Sequence, residues 1–574
     1  MEARSLFPQL PALHFSPTAD ICQCGTVLKV LKTTTPKAVA TLTIGQFKAV
    51  EKQKVCQQCD VIYRSETLRK LTPHRGQFGF DVIEYIGKAI FVECRQELEI
   101  QANLAAKNIP VSTSEIAFLG KRFIIYLALL HKQSREALKA HMSSKGGYIL
   151  HLDGTCEGDS PHLFSCIDAV SDIVLGNKKM PSENSEDIIP LLNTLKLNYG
   201  DPIALVHDMG RAILKAVDEV FPGVPDYICH FHFLRDIGKD LFNAEYQAIN
   251  RHIRDSKIKA ALRKSAKALK KLIDEDPELS IELEAYTKNG IPAVTQTPLN
   301  AVISAYLLVT WVLEASCVSN GFGFPFDQPH LVFYQRLQQA ESNFKQLKKK
   351  GVLTLPLAAL DKVVSGQDLK KLQTSIEQKI TIFNELRVAM RIASTDSKDG
   401  LNDEGDDDIE GIEKRVTAFC HDEKLQTLAA SDTSYFKMLK QIRKYWEKLF
   451  AKPILRDTPA GKIFIQPQRT NNLLEQSFRD GKRDRRKKSG QHSLNKALVG
   501  MLADTPLIRN LKNPEYMRIL FKEANSLAER FADIDAEEVF REERENKALV
   551  DKYPRNLRRF FKLENLPEIL IDAV

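Results

Sequence analysis

Between residues 147 and 245, strand-length apolar runs and helical stretches follow one another in an order that few folds accommodate. Tyr148–Asp153, His162–Val170 and Asp172–Lys179 read as strands. Ser185–Leu197 has helical spacing, Ile203–Asp208 is a second buried-strand run, and Arg211–Val220 is helical. Asp226–His230 closes the series, with a further helix from about Phe233. Three strands in succession and then helix–strand–helix–strand–helix is an α+β or α/β order built on a mixed sheet.

Two of these strands end on an acid. Asp153 closes Ile149-Leu150-His151-Leu152 and precedes Gly154; Asp208 closes Ile203–His207 and is followed by Met209-Gly210. An acid at the carboxyl end of a buried strand sits at the sheet edge, where open sheets bind ligands. A charge there is costly unless something pairs with it, and a divalent cation is a natural partner. The plainer alternative for either residue is a cap or a turn, and Asp168 and Asp172 are rivals for a metal position. A third acid is expected from a later helix beside these strands. Glu475 is the best placed, after Leu473-Leu474 in a helix that Thr470 can cap; Glu410 and Glu447 stand in poorer contexts. Directly beyond it Arg479, Lys482, Arg483, Arg485, Arg486, Lys487 and Lys488 form either a phosphate-binding surface or a merely solvated face.

The N-terminal part carries a different chemistry. Cys22-x-Cys24 and Cys56-x-x-Cys59 are soft thiolate pairs suited to a tetrahedral structural zinc, which would staple a small unit of short strands; buried cysteines are the alternative. Helical texture follows, broken at Asn108-Ile109-Pro110. A helix over about Cys94–Lys107, a turn and a helix over about Thr113–His131 fit a helix-turn-helix, with Ser112 as N-cap. Ser112, Thr113, Ser114, Lys121 and Arg122 are then candidate DNA contacts, against the alternative of an ordinary helical hairpin. Cys229-x-x-His232 is conceivable as a metal pair, although core packing or a DNA contact is preferred. Trp311 is either a stacking platform or core.

The 574 residues suffice for several domains: an arm (1–20), a zinc ribbon (21–75), a helix-turn-helix domain (76–146), a first part of the core (147–245), a helical insertion (246–462), a second part of the core with the third acid (463–510) and a C-terminal helical region (511–574). Within the insertion, Arg336–Lys349 and Asp368–Ile392 are expected to pair as an antiparallel hairpin, and Asp396–Glu410 is an acidic loop. The net charge of +8 allows a nucleic-acid partner without requiring one. No apolar stretch is long enough to span a bilayer and no secretory signal opens the chain, so the expectation is a cytoplasmic protein without a membrane partner.

These motifs resemble those of a DDE transposase of the RNase H-like superfamily, nearest to the bacterial insertion-sequence group with an N-terminal zinc ribbon and helix-turn-helix. Leu152-Asp153-Gly154 is similar to the first acid motif, Val206-His207-Asp208 to the second, and Thr470-Asn471-Asn472-x-x-Glu475 with Lys482 and Arg485-Arg486 to the third. Cys229-x-x-His232 resembles the C-x-x-H that often follows the second acid. The chain departs from the pattern in its C-x-C pair and in Gly154-Thr155-Cys156. The resemblance implies a multidomain α/β protein whose RNase H-like mixed-sheet core is interrupted by an all-α insertion. It also implies two Mg²⁺ ions held by Asp153, Asp208 and Glu475 for DNA nicking and strand transfer. Transposon ends and target DNA would be the partners of a homodimer or higher oligomer. Two other readings remain open, a domesticated DNA-binding protein without catalysis and another RNase H-like nuclease.

Overall fold

The computed structural model describes residues 10–288, 298–319, 321–392, 409–550, 560–561 and 563–572. It is a mixed α/β protein with several sheets and a large helical insertion. The chain divides into two units, Met1–Tyr227 with Pro453–Val574, and Ile228–Lys452. The first nine residues of the expected arm and most of the acidic stretch 396–410 lie outside the described residues.

In the first unit, the N-terminal sheet is organised around the long strand β4 (Gly45–Val55). It pairs antiparallel with β2 (Lys29–Thr33), β3 (Lys37–Thr41) and β5 (Ile62–Tyr63). β1 (Ala12–Phe15) joins it in parallel, so this part of the expected arm is a sheet strand. Phe15, Val39, Phe47 and Ala49 make a core of four buried side chains. So small a core leaves the cysteine end of this sheet dependent on some other staple.

The second sheet has the order β10-β9-β6-β7-β8. β6 (Ile149–Thr155) is central; β7 (His162–Asp168) and β8 (Ile173–Met180) follow antiparallel on one side. On its other side β9 (Ala204–His207) lies parallel, reached through the helix Ser185–Tyr199, and β10 (Asp226–Ile228) is the edge. Alternation along β6 sends Leu150 and Leu152 into the main core, whereas Ile149, His151 and Asp153 share the opposite face. Ile149 packs there with Ala204, Val206 and the hairpin β11 (Ile454–Thr458) and β12 (Gly461–Ile465).

The helices Phe80–Phe91, Glu97–Ala106 and Thr113–Gln133 share that main core with the C-terminal helices. Phe531 stacks on Tyr126 at 5.1 Å and meets Phe123 edge-on at 5.7 Å. The C-terminal helices Pro514–Phe521 and Leu527–Ala532 are therefore part of the first unit's interior.

The second unit begins at Ile228, earlier than texture suggested, because the helix His230–Asp255 belongs to it; the hairpin at 454–465 returns to the first unit. The helices Pro329–Lys349 and Gln367–Met390 do not pair mainly with each other as expected. Each packs against His230–Asp255, which supplies Phe242 to Phe383 at 5.6 Å and Glu245 to the Lys379 ammonium at 2.6 Å.

Candidate functional site

Asp153 and Asp208 come together because of strand register. β6 and β9 run parallel with Leu152 level with His207, so the next residue of each chain is an acid. Asp153 is 6% exposed, and its Oδ1 accepts a hydrogen bond from the Gly154 amide at 2.8 Å. Asp208 Oδ1 accepts from the Gly210 amide, also at 2.8 Å. The His207 ring, fully buried, bonds the Asp208 carbonyl at 2.7 Å and reaches Asp226 at 3.3 Å, which holds the backbone where the strand ends. Among the described residues, neither carboxylate has a lysine or arginine partner.

Glu475 arrives through a different device. Asn471 is completely buried, and its Nδ2 donates to the Leu152 carbonyl at 2.9 Å, one residue before Asp153. The helix Asn472–Ser489 starts from this anchor, with the Glu475 amide bonded to the Asn471 carbonyl. Asn471, and not Thr470, is the N-cap; its side chain serves the sheet instead of the helix. Glu475 lies in the first turn, where the helix dipole favours an anion.

Electrostatics show the consequence. Burial pushes the Asp153 carboxyl well above the usual carboxylate range, and the charges of Asp208, Glu475 and Glu183 push it further. Glu183 was not foreseen from the sequence. It lies between β8 and the helix Ser185–Tyr199, in Pro181-Ser182-Glu183-Asn184, which carries no pattern beyond a helix cap. Burial and the Asp208 charge raise its carboxyl to about 7. The acids are gathered loosely: among the described residues, only the cysteine sulfurs form a group whose donor atoms all lie within 4.8 Å of one another.

The rivals have other employment. Asp168 accepts from the Ile149 amide at 3.1 Å, from the Val170 and Ser171 amides at 2.9 and 3.0 Å, and from the Ser171 hydroxyl, so it ties a turn. Asp172 pairs with Arg509 at 2.6 Å. Glu410 and Glu447 are in the second unit.

Around the cysteines, Sγ of Cys22 stands 3.4 Å from that of Cys59, and Cys24 stands 3.5 Å from Cys56 and 3.7 Å from Cys59. Sulfurs about 2.3 Å from a tetrahedral ion stand roughly 3.8 Å apart, so the cluster can hold a metal ion. The Cys24 amide and then the Tyr63 hydroxyl draw the Cys22 thiol down to about 6, while the neighbouring sulfurs push Cys59 to about 12. A cation relieves both, since thiolates are the metal-binding form. Cys229 and His232 belong to no group of three or more potential ligands among the described residues.

The expected DNA contacts divide. Ser112 caps the helix Thr113–Gln133 by accepting from the Glu115 amide at 3.1 Å, and Ser112, Ser114 and Lys121 are exposed with Thr113 half-buried. Arg122 is a correction: it is 8% exposed and its Nε is 2.5 Å from Glu543, so the fold uses its charge. The helix is buried along most of its length because the C-terminal helices cover it. In the basic helix, Lys488 pairs with Glu97 at 2.7 Å and Arg485 donates to Ser493 and Gln491. Arg483 and Lys487 stand 3.8 and 3.9 Å from Asp480 and Asp484, and Lys482 is 3.9 Å from Glu157. Arg479 donates to Asn472, and Arg486 is exposed. Trp311 is 38% exposed, with the Arg336 guanidinium 4.6 Å from its ring centre, so it is not core.

No helix among the described residues is long and apolar enough to cross a membrane. No protein-family model matches the chain, and no curated protein matches it in sequence.

Proposed function

We propose that this chain is a DNA transposase of the DDE type, with Asp153, Asp208 and Glu475 holding two Mg²⁺ ions and the four cysteines holding a structural Zn²⁺. The observation that carries the reading is Asp153: a buried acid, without a basic partner, that feels the charges of acids from β9 and from a helix more than 300 residues away in sequence. Burying like charges together is unfavourable unless a cation neutralises them. The order β10-β9-β6-β7-β8, with acids at the ends of the central strand and its parallel neighbour, agrees with an RNase H-like core.

The looseness of the cluster fits two ions better than one. With ions about 3.5–4 Å apart and ligands about 2.1 Å from each, acids that serve different ions can stand roughly 8 Å apart. Bound Mg²⁺ would activate a water or 3′-hydroxyl and stabilise the leaving oxygen of an in-line displacement. The chain's own residues orient the site. Asp153 stands between the other acids, Asn471 sets the height of Glu475 against β6, and His207 fixes the backbone at Asp208. Exposed Arg486 and Arg479 lie along the helix beyond Glu475, where phosphates of bound DNA would be met. Ser112, Thr113, Ser114 and Lys121 would contact the transposon ends, and a dimer would hold two ends together.

The test is cleavage of duplexes carrying the DNA that flanks the gene, with Mg²⁺ present. Wild type is expected to nick and join strands, and Asp153→Asn to do neither. Equal activity of the two proteins ends the catalytic reading. DNA binding that persists unchanged in Asp208→Ala and Glu475→Ala, with no cleavage by wild type, identifies a non-catalytic DNA-binding protein instead.

A further inference from the structure

A fourth carboxylate stands over the two strand ends that carry the aspartates. Glu183 Oε1 lies 2.9 Å from the place a Cβ on Gly210 would take, the same distance as Asp208 Oδ1, so the two oxygens are within twice that distance of each other. Its Oε2 lies 2.9 Å from the place a Cβ on Gly154 would take. Any side chain at either glycine would displace it, so the two residues directly after the strand-end acids leave room for this carboxylate. Glu183 makes no hydrogen bond or ion pair among the described residues, although it is half-buried.

A second observation points to a ligand at this place. Ser165 is the partner of Asp153 across the β6–β7 ladder and therefore stands beside it on the same sheet face. It is 1% exposed, and its hydroxyl has no hydrogen-bond partner. A buried hydroxyl is ordinarily satisfied, and next to a carboxylate the missing partner fits a water in a cation's hydration shell.

We infer that Glu183 is a ligand of the divalent cation shared by Asp153 and Asp208, an assignment that rests on the two-ion reading above. Glu475, which enters from the helix at 472–489, would serve the second ion together with Asp153. The site then takes its ligands from four separate segments: β6, the end of β9, the turn after β8 and a helix from beyond the second unit. The class of ligand is a hard divalent ion of the Mg²⁺ or Mn²⁺ type, since every donor is a carboxylate oxygen.

Mn²⁺ binding to the full, zinc-loaded chain tests this, measured by titration calorimetry and by the spin-resonance signal of free Mn²⁺. Wild type is expected to take up two ions. Glu183→Gln should weaken one of them at least about tenfold and leave the other, and Asp153→Asn should lose both. If Glu183→Gln binds both ions as wild type does while Asp153→Asn loses them, Glu183 is no ligand and the two-ion site stands without it. If wild type takes up none, the two-ion reading fails and the assignment falls with it. Should the glutamine variant not fold, Glu183→Asp, one methylene shorter, is read against the same two outcomes.

Discussion

Replacing Asp153 by asparagine should make the cation-free protein more stable, not less. An aspartate that serves the fold loses hydrogen bonds or an ion pair on this change and destabilises it. Asp153 has little of that kind to lose: its carboxylate accepts from the amide of its own neighbour, and an asparagine oxygen can do the same. What the substitution removes is a buried charge repelled by Asp208, Glu475 and Glu183. A like charge at 4 Å costs about 4 kcal/mol at an effective dielectric near 20. These carboxylates stand further apart and are partly solvated, so a net gain on the order of 2 kcal/mol is expected. For a unit of this size that is a rise in Tm of roughly 4 °C or somewhat less. The pH dependence has a definite sign. The folded carboxyl binds its proton more tightly than the unfolded one, so its favourable contribution is complete below about pH 4 and is lost as pH rises. The variant's advantage should therefore vanish in acid and be full near neutral pH. Magnesium should reverse the ranking: at about 100 times Kd it adds about 2.7 kcal/mol to wild type and little to the variant. Thermal unfolding of both proteins in cation-depleted buffer, and then with Mg²⁺, measures all of this. An asparagine variant less stable than wild type without cations, or an equal Mg²⁺ response, refutes the reasoning.

Three further outcomes are expected. Metal analysis should find one zinc per chain, lost in Cys22→Ser or Cys59→Ser, with proteolysis then opening the chain between β2 and β5 while the Asp168-tied sheet stays protected. Arg122→Ala should cost about 3–5 kcal/mol in urea unfolding by leaving Glu543 without its buried partner, whereas Arg486→Ala should leave stability alone and reduce the salt dependence of DNA binding by about one phosphate. Asn471→Ala should lower stability by about 1–3 kcal/mol and weaken Mn²⁺ binding by the ion that Glu475 serves, which calorimetry can separate.

The element order of the core was legible before any coordinates, because each strand there is a short apolar run with a turn on either side. β6, β7, β8 and β9 fall within a few residues of where texture put them. The capping of the helix at Thr113 was equally plain, since Ser112 acts on its own backbone a turn away. So was the grouping of the cysteines, whose spacing is itself the signal.

Other properties depend on residues that are remote in sequence, and local pattern says nothing about them. Arg122 looks like any exposed helix arginine until the helix Ala536–Val550 brings Glu543 against it. Asp168 and Asp153 occupy similar positions in their strands, and only the path of the backbone decides that one collects amides while the other collects acids. Glu183 has no motif at all: it matters because two glycines on neighbouring strands leave it space. Sequence alone determined where strands and helices begin, which is set by short-range periodicity and capping. Tertiary structure alone decided which charges meet, because charge interactions act through space and the chain order does not record the distances.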